Sequence, residues 1–168
     1  MFRRVIACAL PLAVFAAAAM VFSIWAMPAG AAGERSPEEM LRGLYAQYDV
    51  HTHGRQPHHI DAKALMTPQL ARAYAKVTHA AAGDVPALGW DVFVNAQDYD
   101  VQHLNLTVVP DGKVEILTAV FDNLGQPVTV IYAFAHTPAG WRIDDIRYPP
   151  NRTFPKGFSL EAFARRAS

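Results

Sequence analysis

Cysteine is almost missing: Cys8 is the only one in 168 residues. It sits in an N-terminal apolar stretch, so a chain trimmed of that stretch has no disulfide, no thiol nucleophile and no cysteine zinc site. Charge is sparse as well. Charged residues make up 18%, with 15 Lys+Arg against 15 Asp+Glu and no run of one sign. That balance argues against a nucleic-acid binder driven by phosphate attraction and against a charged disordered tail. There is no G-x-G-x-x-G, phosphate loop, H-E-x-x-H or G-x-S-x-G, so the common motif-bearing enzyme classes find no support. Beyond the first 32 residues no internal repeat or low-complexity segment occurs.

One long apolar run is present. Arg3 and Arg4 precede 23 uncharged residues from Val5 to Met27, followed by Pro28-Ala29-Gly30-Ala31-Ala32. This is the tripartite form of a secretory signal over residues 1–31, with cleavage expected before Ala32. An uncleaved anchor is the alternative, because such a run can span a bilayer core of ~30 Å as a helix. The expected location is periplasmic or secreted, or else inner-membrane-anchored and facing the periplasm. Val5-Ile6-Ala7-Cys8 looks like a lipoprotein box, but it precedes the apolar run instead of following it, and Cys8 reads as one more small apolar residue. Residues 32–168 then form a single domain. Losing Arg3 and Arg4 leaves 13 basic residues against 15 acidic ones, a formal charge of −2.

In that domain helices come first. Ser36-Pro37-Glu38-Glu39 has an N-cap, a proline at the first helical position and a capping-box Glu; Met40, Leu41, Leu44, Tyr45 and Tyr48 then recur at helical spacing. A polar loop over His51–His59 and a short turn capped by Asp61 follow. A second helix starts at Thr67-Pro68 and is expected to end near Gly83. From Asp98 the period becomes two. Strands are expected over Tyr99–Val109, Val114–Asp122, Pro127–Thr137 and Trp141–Tyr148, joined by connectors rich in Gly, Pro, Asn and Asp. A Pro-rich passage and a short helix from Ser159 end the chain. The plan is α+β: N-terminal helices on a curved antiparallel sheet of about four strands.

Asn95-Ala96-Gln97-Asp98-Tyr99-Asp100, Val120-Phe121-Asp122-Asn123 with Gly125, and Gly140-Trp141-Arg142-Ile143-Asp144-Asp145-Ile146 together resemble the DUF3828 family of small exported bacterial proteins. The resemblance spans roughly Pro37 to Tyr148. It implies an NTF2-like cone and an envelope location, and it carries no reaction or catalytic residues. The histidine-rich loop is not part of it.

Three constellations could carry chemistry. Asp49, His51, His53, His58, His59 and Asp61 include four imidazoles, which are common ligands for zinc, copper or nickel. Gly54, Pro57 and the lack of a zinc-site spacing give the plainer reading of a solvated loop. Asp98, Tyr99 and Asp100, with Gln97 and His103, stand where the helical half enters the sheet. An Asp there can serve as general base if apolar walls raise its pKa; otherwise Asp98 caps a bend and Gln97 bonds a loop carbonyl. In the last strand Trp141, Ile143 and Asp145 alternate with Arg142, Asp144 and Ile146. One Asp is expected to pair with Arg142 or Arg147, and Tyr132, Trp141 and Asp145 are the pocket candidates. Two sequons, at Asn105 and Asn151, carry little weight behind a bacterial-type leader. Tyr148, Phe154, Phe158 and Phe163 either cover the sheet or form a partner patch.

The expectation is an exported, non-catalytic module that binds a protein partner or a small apolar ligand, with no cofactor and no nucleic acid. The alternatives are a cavity enzyme using Asp98 or Asp100, and metal handling through the His51–His59 loop.

Overall fold

The computed structural model describes residues 34–53, 60–79, 86–111 and 114–167. The leader expected over residues 1–31, His58 and His59 lie outside these, as does the side chain of His53.

Helix α1 (Pro37–Tyr45) begins on the expected capping box: Ser36 Oγ accepts from Glu39 N at 3.2 Å, and the Glu39 carboxylate accepts from Ser36 N at 2.8 Å. A 3₁₀ turn (Ala46–Tyr48) extends it, and Leu41, Leu44, Tyr45 and Tyr48 are buried along one stripe. Where a loop was expected, His51 begins a polar stretch that instead opens as a short helix, α2 (Val50–His53). Helix α3 (Ala62–Leu65) is capped by Asp61 and α4 (Pro68–Thr78) by Thr67. Helix α4 stops at Thr78 and does not run on toward Gly83. Thr78 Oγ1 bonds the Tyr74 carbonyl at 2.9 Å, and the Val77 carbonyl accepts from Leu88 N at 2.9 Å in place of a further helical turn.

The strands are β1 (Val101–Asp111), β2 (Val114–Asn123), β3 (Gln126–Thr137), β4 (Gly140–Tyr148) and β5 (Phe158–Ser159), antiparallel throughout in the order β1-β2-β3-β4-β5. Helix α5 (Leu160–Arg166) closes the chain with Ser159 as N-cap. The fold is α+β, a mixture of helices and an open antiparallel sheet. It has five strands among the described residues, one more than expected, because the two-residue β5 is too short to show a period in the sequence. Among the described residues no helix is long and apolar enough to cross a membrane.

Cross-strand register decides what is buried. Leu117 faces Tyr132 and Ala119 faces Val130, and these, with Phe121 and Phe134, are almost wholly shielded from water. Tyr45 of α1 packs on Phe121 at a ring separation of 5.0 Å and on Tyr132 at 6.4 Å. Each of the large apolar side chains among these, such as Leu117 and Phe121, contributes roughly 1.5–3 kcal/mol on burial. On the other side of β2, Val120 is exposed, as alternation requires.

Two bulges break that alternation. In β4, Ala133 pairs with Asp145 while Phe134 pairs with Ile143, so Asp144 is the extra residue. Trp141, Ile143 and Asp145 therefore do not share a face as simple alternation expected: Ile143 stays with the core and Asp145 turns away. In β1 the register shifts between Gln102 and Asn105, and His103 adopts φ 55°. Strand β1 begins at Val101 and not at Tyr99 as expected, so Asp98 and Asp100 both lie in the segment before it.

Two turns lead to measurable expectations. Leu124 and Gly125 join β2 to β3 with φ of 52° and 74°, a left-handed conformation that a leucine adopts at a cost. Leu124→Asn should raise stability by about 0.5–1 kcal/mol in urea unfolding. Gly157, at φ 77°, lies so close to β4 that a Cβ would stand 2.9 Å from the Tyr148 carbonyl oxygen. Gly157→Ala should cost about 1–3 kcal/mol in the same assay.

Candidate functional site

The β1 bulge forms one wall of a cleft of about 500 Å³, and α1 and α2 form the other, with Arg42, Asp49 and His51 facing Gln102 and His103. Asn123 fixes the strand entrance. Its Oδ1 accepts from Asp100 N at 2.9 Å and its Nδ2 donates to the Asp98 carbonyl at 3.2 Å. Asn123 is buried, so Asp100 is held at a set position.

The cleft joins residues from two of the sequence constellations. His51 Nε2 lies 3.9 Å from Asp100 Oδ1 and 3.3 Å from Gln102 Nε2, and Gln102 donates to Asp100 Oδ2 at 3.2 Å. His103 Nδ1 meets Asp122 Oδ2 at 2.8 Å. Asp100 Oδ1 is buried without a hydrogen-bond partner among the described residues, an acceptor that a donor from outside would satisfy. Asp49 lines the cleft, Asp100 and Asp122 stand beside its lining residues His51 and His103, and the guanidinium of Arg42 is engaged by Glu38 at 2.7 Å. Both imidazoles are largely in water, His51 at 73% and His103 at 77% side-chain exposure.

The other candidates are placed differently. Gln97 Nε2 bonds the Gly89 carbonyl at 2.9 Å, the structural alternative foreseen for it, and the Asp98 side chain is exposed. Tyr99 packs edge-on against Tyr48 at 5.1 Å. Trp141 is half-buried beside His136, with ring centroids 4.9 Å apart. Tyr132 is fully buried, and Asp145 is 4% exposed and paired with Arg147 at 2.7 Å; neither lines the cleft. Of the histidine-rich loop, His51 lines the cleft, while His58, His59 and the side chain of His53 lie outside the described residues. Among the described residues no group of three or more His, Cys, Asp or Glu converges to hold a metal ion. Tyr148, Phe154, Phe158 and Phe163 cluster around Trp90, with Tyr148 stacked on Phe158 at 4.7 Å.

A buried network went unseen in the sequence. The turn from Asp91 to Ala96 enters the core, with Val92, Phe93 and Val94 out of water. Tyrosine hydroxyls satisfy its backbone: Tyr45 donates to the Phe93 carbonyl at 2.9 Å and Tyr148 to the Val92 carbonyl at 2.9 Å. With its proton committed, the Tyr45 hydroxyl accepts from Tyr132 at 2.7 Å. Asp91 closes the turn, accepting from Phe93 N at 2.8 Å and from Tyr48 OH at 2.6 Å. Burial holds the phenols of Tyr45, Tyr48, Tyr132 and Tyr148 above their ordinary value. The sequence signal is a lone acid within Trp90-Asp91-Val92-Phe93-Val94.

Burial also raises the Asp91 carboxyl above its ordinary 3.8, outweighing the Tyr48 and Phe93 hydrogen bonds that lower it. In the folded state Asp91 keeps its proton to higher pH than in the unfolded chain. Its contribution to stability is therefore complete below pH 3.8 and is lost as pH rises through the folded value. Urea unfolding across the acid range should show Asp91→Asn falling less steeply than the wild type as pH increases through that window. Parallel slopes for the two proteins would contradict this assignment.

Comparison with family models, with curated proteins and with solved structures finds no match to this chain.

Proposed function

We propose that the chain is an exported, non-catalytic binding module of the bacterial envelope, NTF2-like in outline and akin to DUF3828 proteins, that receives an extended strand of a partner protein along the outer edge of β1. The observation that carries this reading is the open edge: β1 is 11 residues long, and among the described residues nothing pairs with its outer side. By contrast, the opposite edge of the sheet is occupied, by β5 at Arg147 and Tyr148 and by Met66 beside Ile143. Exposed edges of this kind accept a further strand through main-chain hydrogen bonds. Val108 and Val109, 37% and 54% exposed, supply apolar contact at one end. The Asp100 carboxylate, 21% exposed, supplies negative charge at the other, suited to a lysine or arginine of the partner. A small apolar ligand is less well supported, because the rings of Tyr45, Phe121, Tyr132 and Phe134 fill the space between α1 and the sheet.

The Val108→Lys/Val109→Lys double variant tests this reading. Both side chains are exposed, so thermal unfolding should be unchanged while a complex isolated with the wild-type chain from envelope extracts is lost. Retention of the same complex by the folded variant would refute strand docking.

A second reading, proton transfer by Asp100, is favoured by its unpartnered oxygen beside His51. Water around both imidazoles weakens the electrostatic assistance such chemistry needs, and we give it second place.

A further inference from the structure

We propose that a second cleft, between the end of β4, the loop over residues 150–157 and α5, binds an oxyanion of the phosphate-ester type carried on a small apolar body. It measures about 580 Å³, and Arg147, Lys156 and Arg166 line it beside Ile131, Phe158 and Ala162, with no carboxylate in its walls. This site is independent of the β1 edge.

The local charge is strongly one-sided for a chain balanced as a whole. Residues 147–168 contain five basic residues and one acid, Glu161. Glu161 is drawn to Arg165 at 3.1 Å, and the two line a separate groove with Arg72 and Lys76. Ala162 and Arg166, four residues apart, share the α5 face that meets the cleft. Asp145, the nearest buried acid, has both oxygens occupied by donors from Ile146, Arg147, Ser159 and Glu161.

Arg147 and Lys156 are held by ordered structure. Arg147 is gripped at Nε by Asp145, at 2.7 Å, which leaves the two Nη atoms of its fork for an oxyanion. Lys156 is carried by a tight loop: Asn151 Oδ1 accepts from Phe154 N at 2.7 Å, and Gly157 N donates to the Phe154 carbonyl at 2.9 Å. Neither Lys156 nor Arg166 makes an ion pair among the described residues. Asp145 offsets the charge of Arg147 in part, but Lys156 and Arg166 line the same cleft without a counter-charge, and an anion bound among the three relieves the repulsion that remains. Phe158, Ile131 and Ala162 give an apolar floor for the body that carries the anion.

The test uses the full chain, titrated with inorganic phosphate and, separately, with a short-chain phosphatidylglycerol below its micelle-forming concentration, and followed by amide NMR shifts at residues 156–159. Saturable shifts are expected, with Lys156→Gln and Arg166→Gln each weakening binding by about tenfold. Arg72→Gln and Lys76→Gln, in the neighbouring groove, should leave it unchanged. Tighter binding of the phosphatidylglycerol identifies a lipid headgroup as the source, and equal or tighter binding of phosphate identifies a free phosphate ester. Absence of saturable shifts with both probes overturns the site. Equal weakening by all four variants, which would mean bulk charge and not a cleft, overturns it as well.

Discussion

Asp145→Ala should lower the unfolding free energy by about 2–5 kcal/mol, the sum expected when several buried donors lose their acceptor together. The carboxylate is 4% exposed and takes four hydrogen bonds: from Ile146 N at 2.9 Å, Glu161 N at 3.1 Å, Arg147 Nε at 2.7 Å and Ser159 Oγ at 2.9 Å. Through these it ties β5 and the start of α5 to β4. Arg147 is half in water, so its charge rehydrates at modest cost; the loss comes from the buried backbone donors. Asp145→Asn retains one acceptor oxygen and turns an amide toward donors, so an intermediate loss is expected. Urea unfolding of both variants at neutral pH measures this, and an alanine variant as stable as the wild type would contradict the anchoring role.

Tyr132→Ala should cost about 3–5 kcal/mol, as large-to-small changes in a packed core do. Its ring is fully buried between α1 and the sheet, 6.4 Å from both Tyr45 and Phe134, and its removal leaves a cavity that the close-packed strands cannot collapse to fill. Tyr132→Phe separates packing from hydrogen bonding. The Tyr45 hydroxyl loses the donor at 2.7 Å but keeps its own bond to the Phe93 carbonyl, so the phenylalanine variant should lose only about 0.5–1.5 kcal/mol. Comparable losses for the two variants would show that the hydroxyl, not the ring, dominates.

Local signals made most elements legible. The Ser36 capping box, the Asp61 and Thr67 caps and the turn residues between strands mark where elements start and stop, and each acts within a few residues of chain. What escaped depends on partners far away in the sequence. The bulge at Asp144 is set by pairing with Ala133 and Phe134, and it reverses the face of Asp145, which alternation alone had grouped with Trp141. The Asp91 turn is stabilised by tyrosines 43 to 56 residues away, a distance over which periodicity is silent. The cleft was half legible: His51 and Asp100 each stood out by residue type, but the 3.9 Å approach between them comes from packing α2 near the β1 bulge. The basic cleft is in part a compositional signal, five bases against one acid at the C-terminus, and only the turning of Glu161 toward Arg165 leaves it without a carboxylate.

The docking edge has a direct test. A photoreactive residue placed in turn at positions 107 and 109 on β1, and at 139 in the β3–β4 turn as a control, reports which surface a partner covers in intact cells. Strand docking predicts a discrete crosslinked species from 107 and 109, none from 139, and loss of the species when Val108→Lys is added. Crosslinking no stronger from β1 than from position 139, or crosslinks that persist in the Val108→Lys chain, would contradict the account.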